Sequence, residues 1–63
     1  MADFWLQDHG SIMLLTPRTL DAAQWLDDNL GEHQTWGDAV VVEHRYIADL
    51  VEGIKDSGFS IEV

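Results

Sequence analysis

The residues best able to do chemistry in this chain are three histidines, His9, His33 and His44, each of which follows a carboxylate. Asp8-His9 and Glu43-His44 together would offer two imidazoles and two carboxylates, a ligand set that suits zinc. That set requires the strand leading into His9 to neighbour the strand leading into His44. No pair has the HxH or HExxH spacing that turns two imidazoles toward one point. Ser11, Ser57 and Ser60 lack the strained elbow of a nucleophilic serine, and Gly10, Gly31, Gly37, Gly53 and Gly58 are single and scattered, so no phosphate-cradling loop is present. A chain of 63 residues has little volume to spare for a water-excluding pocket. The expectation is a non-enzymatic protein with no metal site and no cofactor.

The stretch "VVVEHRY" at residues 40–46 has a structural account of its own. It reads as a strand feeding a helix: Glu43 lies where the positive end of a helix dipole favours a carboxylate, and Tyr46 borders the buried stripe. Arg45 opposes that dipole, which calls for a carboxylate partner, either Asp49 at i+4 or an acid elsewhere. Beyond the junction, Asp49, Glu52 and Asp56 recur at i, i+3 and i+7, a ridge about 10 Å long at about 1.5 Å per residue. Asp21, Asp27 and Asp28 belong to the preceding helix, about one helix diameter (~10 Å) away. Rows of carboxylates on this scale are comparable with backbone phosphates. Charge runs are usually solvated faces of mixed sign, whereas here only Arg45 and Lys55 offset six acids. Trp25 stands among Asp21, Asp28 and Asn29 at helical spacing, so its indole either folds over a neighbouring element or lies partly exposed on the acidic face. An aromatic in an acidic field suits an Arg-rich partner, through cation–π stacking and ion pairing.

The whole composition agrees with that direction. Twelve Asp and Glu against Arg18, Arg45 and Lys55 give a formal net charge of −9. Direct nucleic-acid binding is disfavoured, because it needs cations to replace phosphate counterions. A basic protein surface is the favoured partner, and solubility is the competing explanation of the charge. There is no cysteine, hence no disulfide framework or thiolate site. The apolar runs 12–15 and 39–42 fall far short of the roughly 20 residues of a membrane span, and no targeting segment is visible, so a cytoplasmic protein is expected.

The elements that must carry these residues follow from periodicity. Residues 4–7 and 11–16 flank Asp8-His9-Gly10 as a β-hairpin, Gly10 supplying a positive φ. Pro17 stops the second strand, Thr19 caps a helix over Leu20–Leu30 (Thr16 before Pro17 is the rival cap), and Gly31 fits the C′ position. Ala22, Ala23, Leu26 and Leu30 form that helix's apolar stripe, with Leu20 at its margin. The "EHQTWGDA" connection holds Trp36 as a lid over the core. Ala39–Glu43 is a strand, a second helix runs from His44 or Arg45 through Asp56 on the stripe Ile47, Leu50, Val51 and Ile54, and "FSIEV" alternates as an edge strand.

The expected fold is thus one α+β domain spanning residues 1–63, a two-layer sandwich of order ββαβαβ, with a four-stranded mixed sheet and two helices. The third strand, second helix and fourth strand have the length of a parallel crossover. Helices on one face would leave Met13 or Leu15 and Val41 uncovered on the other, which a homodimer through the sheet, a protein partner or strand ends wrapping round would bury.

"HGSIMLLTP", the Trp25 helix, "WGDAVVVEHRY" and "LVEGI" together resemble a family of small proteins encoded by bacteriophages and prophages of Proteobacteria, over nearly the whole chain. The family brings no catalytic residues to carry over. The resemblance implies an accessory protein that binds host proteins, among them nucleic-acid-processing defence systems. On that expectation the chain is an acidic DNA mimic of anti-CRISPR or anti-restriction type, with Asp21, Trp25, Asp27, Asp28, Asp49, Glu52 and Asp56 as partner-binding residues. The alternative is a small homodimeric structural or assembly protein of phage origin.

Overall fold

The computed structural model describes residues 2–30 and 34–63. Its elements are β1 (Phe4–Asp8), β2 (Ile12–Pro17), α1 (Leu20–Leu30), β3 (Thr35–Trp36), β4 (Ala39–Glu43), a 3-10 turn (His44–Tyr46), α2 (Ile47–Asp56) and β5 (Ile61–Glu62). The chain is α+β, and its mixed sheet has five strands in the order β3-β4-β2-β1-β5. The four-strand expectation is corrected by β3, which makes the element order ββαββαβ. Its signal was Gly37-Asp38: Trp36 pairs with Ala39 across a two-residue turn in which Gly37 takes φ +63°, the glycine-first pattern of a tight hairpin.

Local chemistry sets the element ends. Gly10 turns the first hairpin at φ +84° and donates its N–H to Asp8 Oδ1 at 2.9 Å, while His9 N–H donates to the Ile12 carbonyl. Ala22 N–H donates to Thr19 Oγ1 at 3.1 Å, which makes Thr19 the N-cap of α1. At the end of α2, Gly58 N–H donates to the Lys55 carbonyl and Phe59 N–H to the Ile54 carbonyl, the paired bonds of a Schellman stop. The second helix begins later than its periodicity suggests, because His44–Tyr46 wind as the 3-10 turn. The Gly31 cap and the placement of His33 lie outside the described residues.

Register decides which side chains meet the helices. Leu6 pairs with Leu15 and Leu15 with Val40, while Met13 pairs with Val42. With Phe4 these residues cluster against Ala22 and Leu26 of α1 and Ile54 of α2, so both helices pack on one sheet face. Leu20 does not share in this packing, being 90 % exposed. The opposite face carries Trp5, Gln7, Ile12, Leu14, Thr16, Ala39, Val41 and Trp36, by strand alternation. The second face thus carries Val41, as expected, with Ile12 and Leu14 in place of Met13 or Leu15; it is not left bare, since Leu14 and Ala39 are buried and Ile12 and Val41 half-buried. β4 and β5 run parallel, with β2 and β1 between them, so the crossover through α2 spans two strands.

Candidate functional site

Strand order bears directly on the histidines. Because β2 lies between β1 and β4, the Asp8-His9 and Glu43-His44 pairs are not carried on neighbouring strands, and the arrangement a zinc set required is not formed. Among the described residues no three His, Asp or Glu side chains gather as a ligand group. His9 instead meets Trp36 edge to face, 6.4 Å between ring centroids, across the second sheet face. Trp36 and Ile12 line a concavity there with Val41. Trp36 thus covers part of the second face from an edge strand rather than lidding the core under the helices, and it remains 64 % exposed.

Trp25 takes the first of its two predicted options and folds over neighbouring elements. Its ring meets Phe4 and Phe59 edge-on at 6.1 and 6.2 Å, and those two rings meet each other at 5.6 Å. Its Nε1–H donates to Ser57 Oγ at 2.9 Å. A Cβ at Gly53 would stand 3.5 Å from Trp25 Cη2 and Cζ2, so the indole lies close against the backbone of α2 as it bridges the helices.

One flank of that bridge is open. A groove of about 330 Å³ lies between the helices, walled by Trp25, Leu30, Val42 and Leu50, with Tyr46 and Asp49 also lining it. Asn29 lines it too, its Nδ2 donating to the Trp25 carbonyl at 2.8 Å. Arg45 pairs through Nε with Glu43 at 3.3 Å, so the partner is the acid two residues back rather than Asp49. Its guanidinium also stands 4.8 Å from the Tyr46 ring centre. Tyr46, expected at the border of the apolar stripe, is 53 % exposed and lines the groove.

All six predicted carboxylates are exposed: Asp21, Asp27 and Asp28 on α1, and Asp49, Glu52 and Asp56 on α2. Asp27 and Asp28 occupy the last turn of α1, which contains no basic residue. A carboxylate there opposes the negative end of the helix dipole. Of the six, Asp49 alone lines the groove. The groove as a whole was not legible in sequence because α1, β4, the 3-10 turn and α2 each contribute to it.

Comparison with protein-family models, with curated proteins and with solved structures gives no match. Among the described residues no helix is long and apolar enough to cross a membrane.

Proposed function

We propose that this protein is a non-enzymatic binding module of phage or prophage type, whose acidic helical layer occupies the basic, nucleic-acid-binding surface of a host protein in the manner of an anti-CRISPR or anti-restriction DNA mimic. The observation that carries the reading is the exposure of Asp21, Asp27, Asp28, Asp49, Glu52 and Asp56 on the two helices that share one sheet face. Asp28 adds weight, since its position at the end of α1 works against helix stability. Negative charge placed there complements a cationic surface and speeds encounter with it. The test is capture from a nuclease-treated bacterial lysate on the immobilised protein. Wild type should retain nucleic-acid-binding proteins that elute with salt, and the Asp49→Lys, Glu52→Lys, Asp56→Lys variant should not. Equal retention by that variant sinks the mimicry reading.

A second reading, a homodimer through the other sheet face with the acidity serving solubility, is favoured by Trp36 and Trp5, exposed there by 64 % and 38 %. Light scattering separates the two: a tight dimer that Trp36→Ser converts to monomer, without salt-sensitive capture of any partner, supports this one.

A further inference from the structure

We infer that the groove between α1 and α2 receives one arginine side chain from the partner protein. This rests on the reading that the helical layer docks on a cationic surface, and it names the anchor. At about 330 Å³ the groove is at the small end of ligand sites and has room for one long side chain. Its aliphatic walls, Leu30, Val42 and Leu50, match the methylene stem of arginine. Trp25 and Tyr46 supply aromatic surface for the planar, weakly hydrated guanidinium, and Asp49 supplies the opposite charge. Asn29 extends the polar side, its Nδ2 donating to the Trp25 carbonyl.

The same chemistry excludes the other occupants. An anion would meet Asp49 and a net charge of −9. A purely apolar group would desolvate Asp49 without pairing it. A lysine brings the charge, but its compact ammonium is more strongly hydrated and cannot stack as a plane. The molecule already contains the combination: Arg45 lies over Tyr46 while its Nε pairs with Glu43.

The test is a titration of the ¹⁵N-labelled full chain at low ionic strength with a tri-arginine peptide and, separately, a tri-lysine peptide of equal charge. The arginine peptide should move the Trp25 indole and the Leu50 and Gly53 amide signals saturably, and bind about fivefold more tightly than the lysine peptide. Gly53→Leu, which fills the groove, should abolish those shifts. Asp49→Asn should weaken the arginine peptide about fivefold, and this exposed, near-isosteric change keeps the test decisive if Gly53→Leu does not fold. Equal binding of the two peptides, with shifts spread over the carboxylate-bearing residues and unaffected by either substitution, overturns the groove and leaves the charged-surface reading standing. Absence of any shift with either peptide overturns both.

Discussion

The indole Nε1–H of Trp25 donates to the hydroxyl of Ser57 at 2.9 Å, joining the middle of α1 to the end of α2. The bond fixes the ring's rotation, so the rest of the indole is held between Phe4, Phe59 and the backbone at Gly53. Trp25→Phe keeps edge-on ring packing and loses the bond, a cost of about 1 kcal/mol. Trp25→Ala removes the bridge, and a loss of roughly 3 kcal/mol would consume most of the stability of so small a domain. Urea denaturation followed by circular dichroism should rank them wild type, Phe, Ala.

Gly53→Ala should stabilise the protein. The new Cβ would meet Trp25 at 3.5 Å, ordinary van der Waals contact, while alanine improves a helix interior by about 0.8–1.0 kcal/mol. The melting temperature should rise by about 4–8 °C. Gly58→Ala should do the reverse, because φ of +89° is strained for any residue with a Cβ. A melting curve for each variant checks the signs.

The first hairpin and the Thr19 cap were legible in sequence because each is decided within a few residues. Trp25 was legible only in part. A helical wheel places it off the stripe, and its contacts with Phe4, Phe59 and the backbone at Gly53, all outside α1, bring it inward. A glycine in the interior of α2 was the available clue, since it costs the helix and so implies a close approach. Strand order was out of reach: the alternation that identifies a strand does not name its neighbour. β3 escaped because two residues, Thr35 and Trp36, have no periodicity to read.

Asp3 should govern the docking of β5. Ser60 N–H donates to Asp3 Oδ2 at 3.1 Å, Asp3 N–H to Ser60 Oγ at 3.2 Å, and Phe4 N–H to the Ser60 carbonyl at 3.1 Å. Asp3→Ala should release β5 selectively, at about 1 kcal/mol. Hydrogen exchange should show faster exchange at Phe4 and Ser60 with the β2–β4 ladder unchanged. Uniformly faster exchange would mean that the clasp is part of the global barrier instead.

Added salt should raise the melting temperature. With a net charge of −9 the folded chain repels itself, and the Debye length of about 30 Å at 0.01 M exceeds the longest molecular dimension, 27 Å. At 0.1 M it is about 10 Å, so most of that repulsion is screened. A melt series in sodium chloride between those concentrations should climb, and Asp28→Lys, which also relieves the end of α1, should flatten the climb while adding about 0.5 kcal/mol.

The clasp between Asp3 and Ser60 joins positions 57 residues apart, whereas both hairpins close through tight turns. Hairpins of this kind form in about 1–10 μs, ahead of any contact that must wait for a long loop to close. Folding should therefore run inward from local pairs, with β5 arriving last over a sheet already assembled. Substitutions at Asp3 or Ser60 would then speed unfolding and leave the refolding rate nearly untouched.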